Sequence, residues 1–222
     1  MTPAEKLTKL FKNRELLEQA FTHKSWVNEN QNERESNERL EFLGDAILEF
    51  IVSKEIYLTF PNKEEGYLTT LRSNLVNTKN LAHIAEKLGI GEKIYLSHGE
   101  EEGGGRKNPS LLADTLEAII GALFLDQGMN TTYEFVKKHL LSEVPEKLSK
   151  PLKDAKSRLQ EYVQSQGHPA PIYKVIKASG PDHNKNFIVE VLAGGERKGQ
   201  GTGKNKSSAA QAAAENALKN AS

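Results

Sequence analysis

The sequence predicts an all-α domain followed by a small α+β domain of order α-β-β-β-α. Three observations predict it. Apolar residues recur at helical spacing up to about residue 148, strand-like runs appear only beyond it, and the charge changes sign between the two parts. Residues 1–150 hold 19 Lys and Arg against 24 Asp and Glu, whereas 151–222 hold 11 against 6. An acidic module is therefore joined to a basic one, within a chain of 222 residues whose formal charge is zero. The segment Pro145-Glu-Lys-Leu-Ser-Lys-Pro151 breaks the periodicity at the same point, which sets the domains at 1–148 and 152–222.

The elements follow in order. Leu7, Leu10 and Phe11 form one helical set, Leu16, Leu17 and Ala20 a second, and Leu40, Leu43, Ile47 and Leu48 a third. Further helices are expected over 67–76, 78–88, 110–126 and 131–141, the last two parted by Gly128. Pro61, Gly66, Gly89, Gly91 and Gly103-Gly104-Gly105 punctuate them. In the second domain a helix over 154–166 precedes strands at 172–177, 186–192 and 194–201, and an alanine-rich helix over 207–219 closes the chain. Phe187, Val189 and Val191 alternate with Ile188, Glu190 and Leu192, as in a sheet with one face covered by the two helices. The run Ala209–Ala214 is a good helix former able to pack closely on that sheet.

Composition narrows the function. With no cysteine, a thiol nucleophile, a disulfide framework and a thiolate metal site are excluded, so any metal must be held by oxygen or histidine. The first residues carry no apolar signal region and no stretch approaches the roughly 20 apolar residues that cross a bilayer, so no membrane partner and a cytoplasmic location are expected. The acidic stretch Gly99–Gly105 would repel phosphate and is expected to be a solvated loop. Gly201-Thr-Gly-Lys-Asn-Lys-Ser207 fails the P-loop pattern, because Lys198 stands where the first glycine belongs and Asn205 follows the Gly-Lys.

Carboxylates carry the chemistry. In Asn37-Glu-Arg-Leu-Glu-Phe-Leu-Gly-Asp45, the spacing i, i+3, i+7 puts Glu38, Glu41 and Asp45 on one stripe of a helix, from which Arg39 points away. Asp114 and Glu117 repeat the i, i+3 spacing at the head of a strongly apolar helix. If these faces meet, five negative charges converge, and protonation or cations must relieve the repulsion. Hard divalent ions suit an all-oxygen shell, with Mg²⁺ the natural candidate and Mn²⁺ its substitute. Gly44 and Gly121 each cost about 1 kcal/mol mid-helix relative to alanine, a cost that a close helix–helix approach would explain. His23, His83, His98 and His139 show no mutual ligand spacing and are expected to be structural or solvent-facing.

The block Asn37–Asp45 resembles the signature motif of the ribonuclease III family, and Ala113-Asp-Thr-Leu-Glu-Ala-Ile-Ile-Gly-Ala-Leu-Phe-Leu-Asp126 resembles its second block. Phe21-Thr-His-Lys-Ser-Trp26 resembles the family's segment before the signature, and the C-terminal region resembles a double-stranded-RNA-binding domain. The resemblance implies a homodimeric, Mg²⁺-dependent endoribonuclease that cuts duplex RNA and leaves 5′-phosphate and 3′-hydroxyl ends with short 3′ overhangs. Processing of ribosomal RNA precursors and other transcripts would be its task. It further implies that Glu41, Asp45, Asp114 and Glu117 bind metal, that Asp45, Glu117 and Glu38 serve catalysis, and that Glu65 lies at the edge of the RNA path. Paired divalent ions about 4 Å apart can activate a water and stabilise the leaving oxygen without a histidine base.

For the basic module the resemblance marks Ser157, Gln160 and Glu161 on the first helix, and His183 in the loop Gly180–Lys185, as minor-groove contacts. Lys204 and Lys206 stand at the start of the last helix, where their charge adds to the positive helix end in attracting phosphates. Ser207 stands where a second lysine is usual, which weakens that attraction. Two rivals remain open on the sequence: a non-catalytic duplex-RNA-binding scaffold, and a hydrolase of small phosphate esters that would have no use for the basic module. Trp26, Phe42, Leu43 and Phe50 could line a dimer interface or belong to the core.

Overall fold

Helix caps and glycines divide the chain into elements much as the periodicity requires. A computed structural model describes residues 3–31, 33–143, 152–181 and 185–221. The chain falls into two units, Met1–Lys150 and Pro151–Ser222. His183 and the Pro145–Pro151 break lie outside the described residues.

The described part of the first unit is helical: α1 (Pro3–Thr8), α2 (Arg14–Ala20), α3 (Lys24–Glu29), α4 (Glu38–Thr59), α5 (Glu65–Val76), α6 (Thr78–Leu88), α7 (His98–Glu102) and α8 (Pro109–His139), with short 3-10 turns between some of them. Side chains of Asn13, Asn77 and Asn108 accept the first free backbone N–H groups of α2, α6 and α8. Pro109 opens α8 at a position where its missing N–H costs nothing. Gly89 ends α6 in the left-handed conformation, φ 70°. The two helices expected on either side of Gly128 run on as α8, kinked where that glycine takes φ 77°.

The acidic glycine stretch differs from expectation. It opens with the turn of helix α7, because Ser97 caps it by accepting from Glu100 N at 3.2 Å, and Gly103 and Gly104 end it. Arg106 then ties it down, donating to Glu101 at 2.7 Å and to the carbonyls of Gly91 and Ile94 at 3.0 Å.

Helix α4 packs along α8, and α6 covers another side of α8. Leu48 and Ile51 from α4, Leu71 and Leu75 from α5, Leu81 from α6 and Ile119, Ile120 and Leu123 from α8 are fully buried. Burying each such side chain contributes about 1.5–3 kcal/mol.

The second unit runs α9 (Ala155–Ser165), β1 (Ile172–Ser179), β2 (Asn186–Ala193), β3 (Glu196–Gly203) and α10 (Lys206–Ala221). Its antiparallel sheet has the order β1-β2-β3. The third strand starts two residues later than expected, since Gly194 and Gly195, both at positive φ, form the tight turn that joins β2 to it. Val189, Val191 and Ala193 face Leu159 and Val163 of α9 and the alanines of α10. A Cβ on Gly199 would fall 2.5 Å from the Ala213 carbonyl oxygen, so glycine in β3 and alanine in α10 together permit this close approach. Among the described residues no helix is long and apolar enough to cross a membrane.

Candidate active site and RNA-facing surface

Gly44 in α4 and Gly121 in α8 bring the two acidic segments together. A Cβ on Gly44 would overlap the Glu117 carbonyl and lie 2.9 Å from Gly121 N, and one on Gly121 would overlap the Leu40 carbonyl and lie 3.0 Å from Gly44 N. The helices therefore touch backbone to backbone, which sets Glu41 beside Asp114 and Glu117. Carboxylate oxygens of these three all lie within 4.8 Å of one another, and all three residues are half-buried.

Such crowding of like charge shifts their protonation. Burial pushes the Glu117 carboxyl up to about 8, reinforced by the charges of Asp45, Asp114, Glu41 and Glu49. Burial raises Glu41 too, with Asp114, Glu38 and Asp45 adding to the effect and Lys24 opposing it. Asp114 is raised by burial and partly relieved by His23 and Lys24. Three half-buried oxygens on rigid helices, with too little positive charge to satisfy them, fit a hard divalent cation.

The remaining expected residues are placed differently. Asp45 is exposed and outside the group of three, although its charge acts on Glu41 and Glu117. Glu38 is also exposed and turns to Lys24, whose Nζ donates to it at 3.1 Å, with Ser36 Oγ at 3.3 Å; the Lys24 bond comes first in holding its carboxyl below the usual range. Glu65 opens α5, exposed, and accepts from Thr69 Oγ1 at 2.7 Å. It is not one of the three grouped acids.

Two residues near the acids escaped the sequence reading. His23 was expected to be merely structural or solvent-facing. It does cap α3, its Nδ1 accepting from Ser25 N at 3.2 Å, but it is also half-buried and within electrostatic reach of Asp114, Glu38 and Glu100. Burial lowers its pKa first of all. Lys24 beside it acts on Glu38, Glu41 and Asp114. The signal was available in Phe21–Trp26, yet its path to the acids depends on long-range pairing: Tyr95 N donates to Phe21 O at 2.8 Å and Asn37 N to Thr22 O at 2.8 Å.

On the second unit, Ser157, Gln160 and Glu161 share one face of α9, with Gln160 and Glu161 exposed. Glu161 is ion-paired with Lys153. Lys204 and Lys206 are exposed at the start of α10. Asn205 between them caps that helix, its Oδ1 accepting from Ser208 N at 2.8 Å, so the residue that spoils a P-loop serves the helix end instead.

The ribonuclease-III-like family model matches residues 13–144, and the double-stranded RNA binding motif matches residues 155–221. Ribonuclease 3 of Halalkalibacterium halodurans is 45% identical over 209 residues, covering 94% of this chain and 80% of that protein. Ribonuclease 3 of Geobacillus kaustophilus is 46% identical over 209 residues, 94% and 85% of the two chains. The solved nuclease domain of ribonuclease III from Campylobacter jejuni matches with a TM-score of 0.58 at 40% identity, over 64% of this chain and 96% of that one. The chain is thus an endoribonuclease, a hydrolase with a helical nuclease unit followed in sequence by an α-β-β-β-α module. It belongs to the ribonuclease III family.

Proposed function

We propose that the protein is a double-strand-specific endoribonuclease that works as a homodimer in the cytoplasm, requires Mg²⁺, accepts Mn²⁺ in its place, and leaves 5′-phosphate and 3′-hydroxyl ends. Ribosomal RNA precursors and other structured transcripts are its substrates. The observation that carries this reading is the convergence of Glu41, Asp114 and Glu117 from two helices locked by Gly44 and Gly121.

Glu41, Asp114 and Glu117 would hold the divalent ion, with Asp45 completing the set from the exposed side. A bound ion of this kind supplies Lewis-acid polarisation of the phosphate and a water acidic enough to attack at neutral pH. The chain's own acids do the rest. Without the ion, burial keeps a proton on the Glu117 carboxyl near neutrality, a proton that the incoming cation must displace, and Asp45 stays open to solvent beside it. Glu38 acts at the rim by holding Lys24, and Glu65 borders the RNA path.

Ser157, Gln160, Glu161 and His183 would meet the minor groove, where A-form RNA displays its 2′-hydroxyls, while Lys204 and Lys206 meet phosphates. A homodimer is supported by exposed apolar side chains on the nuclease unit: Phe42 is 81% exposed, Phe50 56% and Leu125 54%. Phe42 and Leu125 border a hollow of about 600 Å³ that also takes in Leu16, Leu40 and Leu43. Trp26, by contrast, is half-buried, packed with Tyr95 at 5.8 Å and with Arg34 at 5.2 Å, so it belongs to the interior set.

The test is cleavage of an end-labelled RNA duplex by the purified protein, with single-stranded RNA and duplex DNA as controls. Cleavage of the RNA duplex alone, with Mg²⁺ or Mn²⁺ but not Ca²⁺, and binding without cleavage by Glu117→Gln are expected. Binding without cleavage by the wild type under every Mg²⁺ and Mn²⁺ condition would overturn the catalytic assignment in favour of a scaffold.

A further inference from the structure

We infer that Asp154 fixes the direction of the Ser157 hydroxyl proton and so makes Ser157 a one-way acceptor for a 2′-hydroxyl of the RNA duplex. This rests on the proposed contact between Ser157 and duplex RNA and adds to it the rule by which that contact recognises ribose.

Hydrogen-bond polarity carries the inference. Asp154 stands at the N-cap of α9. Its Oδ1 accepts from Lys156 N at 3.0 Å, from Ser157 N at 3.1 Å and from Gln211 Nε2 at 2.8 Å. Gln211 cannot turn its amide over, because its Oε1 is already accepting from Lys156 N at 3.1 Å. Asp154 Oδ2 faces Ser157 Oγ at 2.8 Å. The Gln211 bond, ahead of all other causes, holds the Asp154 carboxyl below its usual range, so it is ionised at neutral pH. An ionised carboxylate only accepts, and a serine hydroxyl has one proton to give. That proton is therefore committed inward, and what Ser157 offers a ligand is lone pairs.

Ser157 is half-buried and, with Gln160, borders a surface hollow of about 200 Å³. A partner that meets its oxygen there must donate. The ribose 2′-hydroxyl can donate, whereas deoxyribose has nothing at that position and a 2′-fluorine can only accept weakly. Position 154 thereby becomes a specificity-determining position that acts through Ser157, and Gln211 positions Asp154.

The experiment uses the full-length chain carrying Glu117→Gln, so that duplexes are held rather than cut, with intactness checked on a gel. Duplexes of about 16 base pairs, the span of one such module, are prepared in all-hydroxyl and all-2′-fluoro form, both A-form. The quantity read is the fluoro penalty, the ratio of the two Kd values. Ser157→Ala is expected to weaken the hydroxyl duplex by about fivefold, one hydrogen bond's worth, while the fluoro duplex binds as before. In Asp154→Asn the three donors at Oδ1 keep the amide oxygen in place and turn Nδ2 toward Ser157, which must then accept inward and donate outward. Asparagine caps a helix as well as aspartate does, so the helix is retained, as circular dichroism will check.

A 2′-hydroxyl can also accept, so Asp154→Asn should keep hydroxyl-duplex binding while its fluoro penalty falls, by less than the roughly fivefold of a full hydrogen bond because fluorine accepts only weakly. The charge lost acts on both duplexes alike and cancels in the ratio. An unchanged fluoro penalty in Asp154→Asn, or a Ser157→Ala variant that weakens both duplexes equally, overturns the inference. If Ser157→Ala binds the hydroxyl duplex as well as the parent does, the contact itself is wrong and the proposed RNA face has to be redrawn.

Discussion

Gly44 and Gly121 face each other across α4 and α8, where a Cβ on Gly44 would overlap the Glu117 carbonyl and one on Gly121 the Leu40 carbonyl. The closeness of Glu41 to Asp114 and Glu117 follows from that contact. Side chains of ordinary size at either position would separate the helices and pull Glu41 away from Asp114 and Glu117.

Alanine at Gly44 or Gly121 is therefore expected to destabilise the protein by roughly 3 kcal/mol or more, at or beyond the upper end of ordinary overpacking, because the clash is with backbone. Gly66→Ala is the control: it lies in α5, and nothing stands within 4 Å of its added Cβ. A gain of about 0.5–1 kcal/mol is expected there. Urea unfolding of the three variants checks both signs, and equal stabilities would show that the close approach is not what orders these helices.

Glu117 should make the metal-free protein less stable as pH rises. Its folded pKa, about 8, lies above the ordinary value of 4.5, so the folded state keeps a proton that the unfolded chain gives up. Stability is then full below the ordinary value and is lost as pH climbs through the folded one. Glu41 and Asp114 shift in the same direction and deepen the loss. Melting curves in chelator from about pH 5 to about pH 9 should show the decline, shallower in Glu117→Gln and suppressed by saturating Mg²⁺. A flat wild-type profile would remove the case for like-charge strain in this group.

Phe42→Glu is expected to dissociate the proposed dimer by placing a charge where an apolar side chain, 81% exposed in the single chain, must be buried. Sedimentation should move toward the monomer with little change in helix content. A dimer that survives both Phe42→Glu and Leu125→Glu has its interface elsewhere.

Lys204→Ala and Lys206→Ala should weaken duplex binding about equally for all sequences. The slope of log affinity against log salt should fall by up to about one for each lysine removed. Binding titrations at several salt concentrations distinguish this from a fold defect, which would lower affinity without changing the slope.

Much of this was legible in the linear sequence, for identifiable reasons. Helical spacing of apolar residues is a local signal, so α4, α6 and the break in α8 at Gly128 could be read directly. The alternation through Phe187–Leu192 likewise gave β2, while the start of β3 was misplaced because Gly194 and Gly195 read as strand when they form its turn. The acidic stretch at Gly99–Gly105 reads as loop from its composition, which carries no sign of the cap supplied by Ser97 or of the anchor supplied by Arg106.

What the sequence by itself determined was the set of acids, their helical phase and the two glycines that make close packing possible, since all of these depend on 3.6-residue periodicity alone. Only the tertiary structure decided that Glu41, Asp114 and Glu117 form the tight group, that Asp45 stands outside it, and that Glu38 is turned to Lys24. It likewise decided that Asp154 receives Gln211 from the other end of the module. Those outcomes depend on which faces meet across residues far apart in the chain, and a periodic pattern fixes the face of each helix without fixing its neighbour.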